Sequence, residues 1–176
     1  MRGHEIILHD FLNAIQTESV ATILDAGSGR TSLSAILAAF PGASVDAVVY
    51  PGDTRKIDSI SSIEDPRKQI HIQETDICTT PITKKYDVIV AHLLLGEAAK
   101  FGNSFKDLLN KVAAMKYRYL IIIDYLEDPG VNEQAIPEMC KANRASVVYR
   151  SYFTNENPQV WEDFTGTHNF GYLIKK

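Results

Sequence analysis

Asp25-Ala26-Gly27-Ser28-Gly29-Arg30-Thr31 places an acid and a glycine-rich turn between an apolar run and a helix-like pattern. Glycines in such a loop let the backbone come close to a ligand, and the helix that follows offers its N-terminus to anions. A dinucleotide would dock its pyrophosphate there, where a carboxylate two residues ahead of the first glycine repels it. The G-x-G-x-x-G spacing also fails at its last position, which is Ser32, and the chain has no G-x-x-x-x-G-K-[ST] loop. Asp25 instead suits a ligand with positive groups and no phosphate. Three further residues with useful chemistry, Tyr50, Asp76 and His92, stand at or just after the ends of other apolar runs.

S-adenosyl-L-methionine meets both conditions, because it carries an ammonium and a sulfonium centre and no phosphate. The chain around the loop must then bring these run ends to one edge. Leu8, Phe11, Leu12 and Ile15 recur at helical spacing, and so do Leu33, Ile36, Leu37 and Phe40, a pattern stopped by Pro41-Gly42. Short apolar runs "ATILDAG", "SVDAVVY", "YDVIVAHLLL" and "YRYLIIIDYL" read as buried strands, and "KQIHIQETDI" reads as a third strand by its alternation. "GDTRKIDSISSIE" reads as a weak helix, Ser104-x-x-Asp107 as a helix cap, and residues 129–143 as a poor helix interrupted by Pro137. "ASVVYRSYF" and "FGYLIKK" are joined by a segment too short for a helical crossover, so they form an antiparallel pair. The expected fold is α/β: a doubly wound, mostly parallel seven-stranded sheet with an antiparallel C-terminal hairpin and helices on both faces. Ligands bind such sheets outside the carboxyl ends of the strands, which gathers Asp25, Tyr50, Asp76 and His92.

The chain has 176 residues, which suggests one domain, with an N-terminal helix over 1–20 and a core over 21–176. A net charge of −4 and scattered Lys and Arg residues give no nucleic-acid signature. No apolar run approaches membrane-spanning length. Cys78 and Cys140 stand far apart, as in proteins of reducing compartments, so the expected location is cytoplasmic. His4 and His9 lack the i, i+4 spacing of a helical metal pair.

"LDAGSGRTS", "TDI" (Thr75 to Ile77), "YDVIVAHLLL" and "RYLIIIDYL" occur in that order. In residues 20 to 175 the chain resembles the class I, Rossmann-like, S-adenosylmethionine-dependent methyltransferases. The resemblance implies that Gly27 and Gly29, with Ala26, Ser28 and Thr31, cradle S-adenosyl-L-methionine and its product S-adenosyl-L-homocysteine. It implies that Asp25 receives the methionine ammonium, directly or through water. Asp76 would accept from the adenine amino group, with Ile77 against the ring. Two positions depart from the family's pattern. Thr31 replaces its third glycine, and Tyr50, rather than an acid, ends the second strand, with Asp53 three residues later. Either Asp53 swings back to the ribose, or Tyr50 takes over, or the ribose is held weakly.

Methyl transfer from a sulfonium needs chiefly positioning. A base helps when the acceptor is a hydroxyl or a protonated amine, and His92, expected near the methyl group, is the candidate. Tyr152, Phe153, Trp161 and Phe164 crowd the last hairpin and are candidates for an acceptor pocket, a dimer interface or sheet packing. The expected activity is methyl transfer to an unidentified acceptor, a small molecule being favoured over a macromolecule, by a monomer or homodimer. The alternatives are a non-catalytic S-adenosylmethionine-binding or partner subunit and, after it, an NAD-dependent oxidoreductase.

Overall fold

A computed structural model describes residues 1–154 and 168–176. Seven strands form one sheet: β1 (Thr22–Asp25), β2 (Ser44–Val49), β3 (Ile70–Glu74), β4 (Lys85–His92), β5 (Lys116–Tyr125), β6 (Ser146–Thr154) and β7 (His168–Lys175). Their spatial order is β3-β2-β1-β4-β5-β7-β6. The pairs among β1 to β5 are parallel. β7 runs antiparallel to both β5 and β6, as the missing crossover between the last two strands implied. Trp161 and Phe164, expected to crowd this hairpin, lie outside the described residues.

Helices cover both faces. α1 (Gly3–Ala14), α2 (Arg30–Ala39) and α3 (Thr54–Ser61) pack on one, and α4 (Leu94–Lys100), α5 (Phe105–Ala114) and α6 (Ala135–Ala142) on the other. The alternation of β-strand side chains divides the core accordingly. Ile23, Val45, Val88 and Ile121 face the α1–α3 layer, and Leu24, Val48, Ile89 and Leu120 face the α4–α6 layer. α5 is capped as its sequence suggested, the Ser104 hydroxyl accepting from the Asp107 amide at 3.2 Å. Asp53 does the same for α3, accepting from the Lys56 amide at 3.0 Å. Pro137 does not break α6, because it falls in the first turn, where its missing N–H would have had no partner within the helix.

The chain departs from the expected element pattern after β4. "LLL" does not extend the strand. Leu93 adopts a left-handed conformation, φ 56°, and Leu94 opens α4. The Leu93 amide donates to the Ile123 carbonyl at 2.8 Å, which holds this turn against the end of β5.

At the opposite end of the sheet a buried acid is paired twice through one oxygen. Asp46 Oδ2 accepts from Lys84 Nζ and from Tyr86 Oη, each at 2.7 Å. Burial works against the Asp46 charge, but these bonds outweigh it and hold the carboxyl below its usual range. Tyr86→Phe should therefore cost about 1.5–3 kcal/mol in urea unfolding at neutral pH, the range for a hydrogen bond to a charged group. Since the Asp46 pKa is lowered, the carboxylate's contribution is lost as pH falls through the folded-state value. The penalty of Tyr86→Phe should shrink there, and a penalty unchanged in acid would refute this pairing.

Candidate functional site

The carboxyl ends of β1, β2 and β3 open into a cavity of about 520 Å³, within the size range of small-molecule sites. Gly27 lines it from the loop after β1, Tyr50 and Asp53 from the turn after β2, and Asp76 and Ile77 from the turn after β3. α4 closes the other side with Leu94, Glu97 and Ala98, followed by Phe101 and Asn103. Lys56 of α3 reaches Glu97 at 3.4 Å, linking two walls of the cavity at its solvent-exposed edge.

Gly27 has a packing reason to be glycine. A methyl group at its Cα would lie 3.0 Å from both Cβ and Cδ1 of Leu94. The loop therefore sits directly against the first residue of α4, and Ala26 lines the cavity beside it. Gly29 faces open space and has an extended conformation, so neither a positive φ nor a close contact requires it. It forms the N-cap of α2, and Thr31 lies in the first turn.

Asp25 does not line the cavity. It is fully buried, and its Oδ2 accepts from Ser32 Oγ at 2.6 Å. The Ser28 hydroxyl donates to the Asp25 carbonyl at 2.9 Å, which tightens the turn. Asp25 Oδ1 has no partner among the described residues. Burial raises the carboxyl to about 7, against the bond from Ser32, the nearby Ser28 hydroxyl and the more distant charge of Lys56. Asp25 is thus an acid poised to ionise when positive charge arrives nearby.

Asp76 sits at the cavity wall with one oxygen engaged. Oδ1 accepts from the Cys78 amide at 2.9 Å, and no described residue donates to Oδ2. Both residues weighed for the second strand's missing acid, Tyr50 and Asp53, line the cavity. Tyr50 is 65% exposed there, and Asp53 keeps Oδ1 on the cap of α3.

His92 is not brought to this cavity. It points to the α1 face, where its Nε2 lies 2.9 Å from His4 Nδ1. Burial, with a smaller contribution from His4, lowers its pKa to about 3, and a ring so weakly basic accepts a proton poorly at neutral pH. Sequence reasoning missed the α4 wall, because three leucines prolonged the apolar run of β4. The helix formers of Glu97-Ala98-Ala99-Lys100 were the available signal.

The N-methyltransferase NodS of Bradyrhizobium japonicum superposes with a TM-score of 0.68 at 13% identity, over 98% of this chain and 96% of that one. The fold is that of the class I S-adenosylmethionine-dependent methyltransferases. Magnesium protoporphyrin IX methyltransferase of Synechocystis, solved with S-adenosylmethionine bound, gives a TM-score of 0.68 at 16% identity, over 99% of this chain and 80% of that one. A TehB-like methyltransferase of Corynebacterium glutamicum gives 0.64 at 18%, over 96% and 86%. No family model and no curated protein sequence matches the chain. The likeness is one of methyltransferase architecture, carried by strand order and hairpin rather than by residue identity. Among the described residues no group of three His, Cys, Asp or Glu side chains could hold a metal ion, and no helix is long and apolar enough to cross a membrane.

Proposed function

We propose that the cavity binds S-adenosyl-L-methionine and that the protein transfers the cofactor's methyl group to an acceptor, a small molecule in the favoured case. The observation that carries this reading is the pairing of a half-used carboxylate, Asp76, with a glycine turn and a buried, near-neutral acid around one cavity in this fold. Asp76 Oδ2 would accept from the adenine amino group, and Ile77 would pack on the ring. Tyr50 and Asp53 together would meet the ribose, replacing the family's usual strand-end acid. The backbone of Ala26 and Gly27 would lie along the methionine portion. Asp25, behind that backbone, would act through its field on the ammonium and sulfonium charges rather than by direct contact. When bound, the sulfonium supplies an already activated methyl group, so the protein's part is to hold the acceptor in line and exclude water.

Calorimetric titration tests the reading. S-adenosylmethionine and S-adenosylhomocysteine should bind at micromolar concentration, and NAD should not. Because bound cations favour ionised Asp25, affinity for S-adenosylmethionine should rise with pH until about pH 7. In Asp25→Asn that dependence should vanish, and affinity at pH 8 should fall by about 10-fold, the loss of one charge-strengthened interaction. NAD binding, or no binding of either sulfur compound, would overturn the proposal. A second reading, cofactor binding without turnover, is favoured by the burial of His92 away from the cavity. Tight cofactor binding with no labelled methyl transferred to any acceptor pool would select it.

A further inference from the structure

α1 rests on two different floors. Ile7, Leu8, Phe11 and Leu12 are buried against apolar side chains. The first turn, Gly3 and His4, is set instead over a polar row. His92 pairs with Ile123, two residues before Tyr125, and Tyr125 pairs with Asn169. The side chains of His92, Tyr125 and Asn169 therefore share the α1 face of three adjacent strands. His4 contributes from above, its ring 4.9 Å from that of His92 and 5.7 Å from that of Tyr125.

Polar capacity is left over in this patch. His4 Nε2, Asn169 Nδ2 and Asn169 Oδ1 are buried and have no partner among the described residues. Asn169 is only 1% exposed. Each such atom destabilises the fold, and an apolar floor like that under the next turns would dock the helix better. Functional sites are where proteins tolerate such defects. Burial lowers the pKa of both His4 and His92, so the rings are neutral at neutral pH and offer nothing to an anion. Asn169 presents a donor and an acceptor side by side. Gly3 lies directly over it: a methyl group on Gly3 would be 2.7 Å from Asn169 Oδ1 and would overlap Phe153. Gly3 is the first residue of α1, and helix ends fray, so the cover can lift while Ile7 to Leu12 stay docked.

We infer that the row of His92, Tyr125 and Asn169, with His4, is the floor of a binding site for a neutral planar molecule presenting an N–H and a C=O side by side, as lactams do, with the first turn of α1 as its movable cover. The site is distinct from the cofactor cavity, whose lining includes none of His4, His92, Tyr125 and Asn169. The inference needs no cofactor and stands or falls independently of the function proposed above.

The test is NMR titration of the cofactor-free protein with 2-pyridone, following the Asn169 side-chain amide and the His4 and His92 ring protons. N-methyl-2-pyridone, which lacks the donor, is the matched control. Saturable shifts are expected with 2-pyridone, and affinity about 10-fold weaker with the control. Gly3→Ala, which forces the cover off the floor, should bind several-fold tighter. Asn169→Leu should abolish the shifts of the His rings while raising Tm, because it removes unpaired buried polar atoms. No saturable shift in either wild type or Gly3→Ala would overturn the inference. So would His-ring shifts that persist in Asn169→Leu, or equal binding of both pyridones. If Gly3→Ala melts out, as circular dichroism would report, the comparison of wild type with Asn169→Leu decides alone.

Discussion

Asp25→Asn should flatten the pH dependence of stability between about pH 4 and pH 7 and stabilise the protein at pH 8 by on the order of 4 kcal/mol. The folded-state carboxyl titrates near 7, against an ordinary value of 3.8. Between those values the folded protein holds a proton that the unfolded chain has released. Its contribution is therefore fully present below pH 3.8 and is lost as pH rises through about 7. Asn mimics the protonated acid. Its amide oxygen can still accept from Ser32, and its NH2 group occupies the position of Oδ1, which has no partner in the wild type either. Urea unfolding of both proteins at pH 5 and pH 8 measures the effect. Asp124, also raised to about 7 by burial, adds a second contribution of the same sign, so a residual slope should survive in the variant. Identical slopes in the two proteins would show that Asp25 is ionised throughout.

Gly96→Ala is expected to destabilise by about 3 kcal/mol, although Ala is ordinarily the better residue inside a helix by about 1 kcal/mol. A methyl group on Gly96 would lie 2.5 Å from Asp124 Oδ1 and 2.6 Å from Asp128 Oδ2. Neither carboxylate is free to retreat. Asp124 accepts from the amides of Gly96 at 2.8 Å and Tyr125 at 3.0 Å. Asp128 is held by Lys100 Nζ at 2.9 Å. Room for the methyl group is made by breaking one of these bonds in a buried place, which leaves an acid underpaired. A denaturation curve that superposes on the wild type would mean that the acids have more freedom than their contacts imply. The damage should extend to ligand binding, because Leu94, Glu97 and Ala98 of the same helix wall the cavity.

Elements whose signals are local were legible from residue types. Strands β1, β2, β4 and β5 announce themselves by apolar runs, the largely exposed edge strand β3 by alternation, α5 by Ser104-x-x-Asp107, and the C-terminal antiparallel pair by the shortness of its connection. α4 was not legible, because its start is marked by Leu93 in a left-handed conformation, a place that glycine or asparagine usually advertises. The candidate site divides similarly. Asp25, Gly27 and Asp76 were identifiable as a kind of chemistry next to turns. Whether Asp25 reached the ligand was not, since that depends on Ser32 folding back from α2 to engage it. Nor could His92 be placed: its partner, His4, is 88 residues away, and only the docking of α1 on β5 and β7 brings them together.

The packing of α1 on β7 also governs the order in which a growing polypeptide can become structured. Ile7 and Phe11 lie so close to Gly171 that a methyl group there would overlap both. β7 also stands between β5 and β6 in the sheet. During synthesis the helix emerges among the first residues of this sequence, yet part of its docking surface is not translated until β7 is made. Until then β5, the most hydrophobic strand, has an open edge, and α1 presents an uncovered apolar stripe. Such surfaces are aggregation-prone while they wait. Native assembly is consequently dominated by contacts between distant parts of the sequence, the slow class of folding problem.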